Sequence, residues 1–340
     1  MIQSTKDLIA YLNLTDKQLD YSIVGVYIDA ILSCGTKADA NALLACFLKK
    51  PNDPYRSDLL KVIREFGDET YAQQLADKCF NNEVLIENIP EDVLEIMGFL
   101  KYEPYKSILS KYVFGQIQSD YCTEKAAILG LLPLDCTEYQ ELILQEIQKC
   151  YGQGLFSEFV PALVCKLNDR TETLEKLYQL GKEHASTDCI SGIILGFSLC
   201  GEEGRPYFKR ILFDPDWECC DRGTGSTAFT YQGVKNLNIS FRDLYQQVLA
   251  VENEPELTYR MEIFLALLES GIRDRKFAEM ESLTELFELL FAWENPNKRN
   301  HFWSLIDQVE KQDQGYSLET ALIQKMREAT ILSNYQNKME

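Results

Sequence analysis

The feature that most constrains this chain is an internal repeat. An apolar helix, a turn and a second helix recur at a spacing near 33 residues. The copies are AILSCGTKADANALLACFL from Ala30, VIREFGDETYAQQLADKCF from Val62, IMGFLKYEPYKSILSKYVF from Ile96, ILGLLPLDCTEYQELILQEI from Ile128 and ILGFSLCGEEGRPYFKRILF from Ile194. The third residue of each copy gives the anchors Leu32, Arg64, Gly98, Gly130 and Gly196, which stand 32, 34, 32 and 66 residues apart. The last interval is two periods, and FVPALVCKLNDRTETLEKLYQL supplies the missing copy with its anchor near Leu163. A later copy begins at Leu265, with Leu268 as anchor and Gly271 in the place of Gly35 and Gly67; it follows Gly196 by 72 residues, two periods and about six. A unit this small cannot bury its apolar face alone and does so by stacking on its neighbours.

Residue types within the unit agree with helices. Leu142, Ile143, Ile147 and Cys150 have helical spacing rather than strict alternation, so no strand is expected. Gly98, Gly130 and Gly196 would let the first helix of a pair approach its neighbour closely, and Gly35 and Gly67 fit helix C-termini. Asp68, Thr137 and Thr171 stand where an N-cap oxygen is needed. Thr15 to Cys34 reads as one long helix and Ser4 to Asn13 as a short one. The predicted fold is all-α: one α-α superhelix over 1–340, with capping helices in 1–29, helical hairpins in 30–213, a loop insertion in 214–239, and further repeats and a cap in 240–340. Second helices are expected to line a concave face.

Asp216 to Asn238 is the long stretch whose Gly, Thr and Ser content breaks the helical period. It reads as a loop, either functional or merely tolerated, because closure entropy grows slowly with loop length. Trp217, Arg222, Phe229 and Tyr231 are its candidate partner-binding residues, and replacing Gly223 to Gly233 by a linker is expected to leave stability nearly unchanged. Cys219 and Cys220 beside Arg222 suit a reactive thiol, but adjacent cysteines lack metal or redox spacing. Gly223 to Thr227 lacks the lysine and the pattern of a phosphate loop. Only His184 and His301 occur, far apart, so no catalytic set, metal site or cofactor is expected. Glu91, Asp92 and Glu95 follow Pro90 and read as first-turn charges facing the helix dipole.

Charge narrows the partners. Lys and Arg total 34 against 53 Asp and Glu, a formal net charge of -19, which repels phosphate backbones and anionic lipid. Direct nucleic acid binding and membrane binding are therefore not expected. The acidity either keeps a surface-rich stack soluble or forms a face for a basic protein partner, and composition does not separate the two. Glu252 to Glu294 holds eleven acids against Arg260, Arg273, Arg275 and Lys276, a local net charge of -7, and Glu281, Glu285 and Glu288 share one helical face there. The eleven cysteines are odd in number, and many, such as Cys46, Cys79, Cys165 and Cys189, fall at apolar helix positions, as small core residues in a reducing compartment do. The first thirty residues lack a signal-peptide pattern and no stretch suits a bilayer, so a cytoplasmic protein is expected.

With its Ile-Leu-Gly core at Ile128 to Gly130 and Ile194 to Gly196, its Gly67-Asp68 turn and its period near 33, residues 15 to 290 resemble HEAT-like repeats, including the short type found in phycobilisome lyases. The resemblance implies an α-solenoid. Arrays of this kind serve as adaptors, transport receptors, bilin lyase subunits, DNA glycosylases and bacterial toxin-immunity proteins, so fold alone does not choose among them. The acidic balance departs from the DNA glycosylase branch, which uses a basic surface, and no residue matches a catalytic position of the family one by one. The function expected is a non-enzymatic scaffold for a basic protein partner, in its most specific form an immunity protein masking a basic toxin domain. The alternative is a bilin-lyase-like enzyme or subunit that would use the cysteines of 214–239 with Phe229 and Tyr231 around a prosthetic group.

Overall fold

The computed structural model describes residues 1–14, 19–152, 156–184, 190–217, 219–220 and 226–273. The fold is all-α. The chain divides into two compact units, Met1–Arg170 and Thr171–Glu340. The first contains α1 (Gln3–Tyr11), α2 (Tyr21–Cys34), α3 (Lys37–Lys49), α4 (Leu59–Phe66), α5 (Glu69–Cys79), α6 (Asp92–Phe99), α7 (Lys106–Val113), α8 (Tyr121–Leu131) and α9 (Gln140–Cys150), and a 3-10 helix, Val160–Lys166. The second contains α10 (Thr171–His184), α11 (Ser191–Leu199), α12 (Arg205–Leu212), α13 (Ser226–Asn236), α14 (Phe241–Leu249) and α15 (Glu254–Arg273).

The anchors Leu32, Arg64, Gly98, Gly130, Gly196 and Leu268 fall in α2, α4, α6, α8, α11 and α15, and Leu163 falls in the 3-10 helix. Contacts follow the same order: α2 packs on α4, α4 on α6, α6 on α8 and α8 on the 3-10 helix, while α1 packs on α3 and α3 on α5. In the second unit α11 packs on α13, and α13 on α15. Side chains also join residues one period apart. Lys37 bonds Asp68 and Arg64 bonds Glu95, each pair 31 residues apart; Lys166 Nζ donates to the Leu134 carbonyl and Tyr207 Oη to Glu175, each 32 apart.

The closest packing is between α6 and α8. A Cβ at Gly98 would lie 1.6 Å from the Gly130 carbonyl oxygen, and one at Gly130 would lie 2.6 Å from that of Leu94. The two anchor glycines thus face each other's helix, as their type requires. Gly35 and Gly67 do end α2 and α4, but with φ of -78° in extended backbone rather than in the left-handed conformation. What excludes a side chain there is space: a Cβ would meet the Ile31 and Ile63 carbonyl oxygens at 2.4 and 2.3 Å.

Side-chain caps open α2, α5, α8 and α14. Asp20, Asp68 and Asp120 accept from the Ser22, Thr70 and Thr123 amides, and Ser240 from Asp243. Asp39, fully buried in α3, accepts from Thr5 Oγ1 at 2.7 Å, the Ile2 amide at 2.8 Å, and the amide and hydroxyl of Thr36 at 3.0 and 2.9 Å. Burial alone would push this carboxyl up, but the four donors outweigh it and hold it at about 2.

Four expectations need correction. The helix predicted from Thr15 begins at Tyr21, because Asp20 is extended and caps it; residues 15 to 18 lie outside the described set. Thr137 is not a cap but opens a 3-10 turn, and its amide donates to Asp135. A small hairpin, β1 (Phe80–Asn81) and β2 (Val84–Leu85), turns through Asn82 and Glu83, both at positive φ. Lastly, the predicted insertion 214–239 is not a loop throughout: Ser226–Asn236 is helix α13. Its small residues are the buried face of that helix. Ser226, Thr230, Val234 and Leu237, spaced by four, four and three, are all buried, and a Cβ at Gly233 would lie 2.2 Å from the Phe208 ring. Gly233 occupies the anchor place 37 residues after Gly196 and 35 before Leu268, so the 72-residue interval holds one more helical pair, α13 and α14.

Candidate functional site

Of the candidate residues singled out in 214–239, the described ones, Trp217, Phe229 and Tyr231, are buried or half-buried. Trp217 is fully buried, stacked on Tyr178 with centroids 5.6 Å apart and near Phe197 at 6.4 Å, and its ring fills the place of a side chain at Gly181. Tyr231 is buried in α13 and Phe229 is half-buried. Cys219 is fully buried and its thiol donates to the Ile211 carbonyl at 3.4 Å. Burial pushes that thiol well above its ordinary value and Cys220 up as well, so neither is an activated nucleophile. Bulk, not polarity, explains Trp217: it closes the gap that Gly181 leaves in α10. Arg222, Glu281, Glu285 and Glu288 lie outside the described residues.

Charged and aromatic groups gather instead on the first helices of the first unit. Arg64 of α4 reaches across to α6, where Nη1 bonds Glu95 at 2.5 Å and the guanidinium carbon lies 3.5 Å from the centroid of Phe99. That ion pair with a cation–π contact orders a side chain that would otherwise sample many rotamers. Phe99 remains 37% exposed. One turn earlier on α4, Lys61 bonds Asp58 at 2.7 Å. On α8, Lys125 stands 4.8 Å above the Phe159 ring, Tyr121 donates to Glu158, and Ser157 donates to Glu124 at 2.7 Å.

Acids exceed bases at the centre of this face. Asp92 reaches solvent, yet its surroundings on α4, α6 and α8 strip enough water for desolvation to push its carboxyl above the ordinary range, with Glu91 and Asp58 adding repulsion against Lys61 and Lys125. Glu95 is likewise pushed up, by desolvation first and then by Asp92, against Arg64 and Lys125. Lys61 and Arg64 are each committed to another carboxylate, so Asp92 has no salt bridge among the described residues. A carboxylate in this condition gains from any further cation placed beside it. Asp92 and Glu95 do stand in the first turn of α6, with Glu91 at its N-cap, as expected of charges facing the helix dipole. What the local pattern did not state is the pairing of residue 64 with residue 95, one period on.

Among the described residues no three or more His, Cys, Asp or Glu come together as a metal site, and no helix is long and apolar enough to cross a membrane. No protein-family model, curated protein or solved structure matches this chain.

Proposed function

We propose that this protein is a non-enzymatic interaction scaffold, an α-solenoid of HEAT-like helical hairpins that binds a basic protein partner. The observation that carries the reading is Asp92, a solvent-reaching carboxylate with no salt bridge among the described residues, set near Glu91, Glu95 and Asp58 on the face of α4, α6 and α8, where partial desolvation pushes its carboxyl above the ordinary range. A net charge of -19 favours approach of a basic surface, and the exposed Phe99 offers apolar contact beside the charge. An immunity protein that masks a basic toxin domain is the specific form we favour, because such a partner supplies the cations this face lacks. Burial of the Cys219 thiol weighs against the bilin-lyase-like alternative.

Affinity capture tests it. The full chain and its Asp92→Lys variant are each immobilised, and proteins retained from the native cell extract are identified by mass. A basic protein is expected, held at 0.1 M salt, released at 1 M as the Debye length falls from about 10 to about 3 Å, and lost with the variant. A neutral or acidic partner, or retention indifferent to salt and to the charge reversal, would remove the reading.

A further inference from the structure

We draw no further inference here: the strongest candidate, the exposed basic patch on the last turn of α12, where Arg210 stands 4.1 Å above the Tyr178 ring beside the exposed Lys209, carries nothing because nothing in the structure shows what covers it.

Discussion

The α6–α8 pair and α2 use the same kind of residue to opposite effect. In α6 and α8, Gly98 and Gly130 let two helices meet until backbone touches backbone; in α2, Gly25 opens onto space. A mid-helix glycine disfavours the helix by about 0.5–1 kcal/mol relative to alanine wherever it sits. Among the described residues only the first pair recovers that, through packing of the buried Leu94, Met97, Ile128 and Leu131 of the same two helices. Composition alone makes the two helices look alike. What differs is the number of sides on which a neighbour lies among the described residues.

The largest expected effect breaks the closed side. Gly98→Ala puts a methyl group 1.6 Å from the Gly130 carbonyl oxygen, a position that backbone cannot vacate without moving α8. Overpacking against side chains is typically unfavourable by about 1–3 kcal/mol; against backbone we expect about 3 kcal/mol or more, read as a lower urea midpoint and faster amide exchange in α6 and α8. Substitution without loss would mean that the two helices are not in contact at these glycines.

The same comparison shows what could be read from sequence. The period carried the all-α class, the order of the helices and the role of Gly98 and Gly130, because close approach and helical spacing are local properties of residue type. It failed in Ser226–Asn236, where Ser226, Thr230 and Gly233 signal a turn by composition but are the small side of a packed helix. Small polar residues suit a loop and a tight helix contact equally, and only the position of Gly233 in the register separates the two. The candidate surface was legible as charge and not as place. That Asp92 is a residue in excess depends on Arg64 being already bonded to Glu95, a pairing across 31 residues that no local pattern states. Trp217 was misread because an aromatic beside Gly and Cys suggests exposure, whereas Gly181, in another helix, makes room for it.

The open side gives a smaller effect of opposite sign. Gly25→Ala adds a methyl group that meets no atom within 4 Å, so only helix propensity changes. Stability should rise by about 0.5–1 kcal/mol, measured by urea unfolding beside Gly98→Ala under the same conditions. A loss of stability at Gly25 would show that α2 is closed on that side in solution and would erase the contrast.

The smallest expected effect asks whether the closed pair also carries a charge against its own stability. Asp92 opens α6, and its carboxyl is pushed above the ordinary 3.8 by desolvation, with repulsion from Glu91 and Asp58. A carboxyl raised in the fold holds its proton longer there than in the unfolded chain, so stability falls as pH rises from 3.8 through the raised folded value. Above that value the charge is a standing penalty; below 3.8 both states are protonated and the penalty vanishes. Asp92→Asn should therefore stabilise at pH 7 by roughly a few tenths of a kcal/mol, a figure already reduced because solvent reaches the group, and should change nothing near pH 3. Asp39 provides the internal contrast. Its folded carboxyl lies at about 2, so it stabilises above 3.8 and loses that contribution as pH falls toward 2, and Asp39→Asn should destabilise most at neutral pH. Urea midpoints of both variants from pH 3 to 7 would decide the matter. If Asp92→Asn lowers stability at pH 7, the carboxylate is repaid within the fold by the positive end of the α6 dipole, and it no longer stands as a charge kept for a partner.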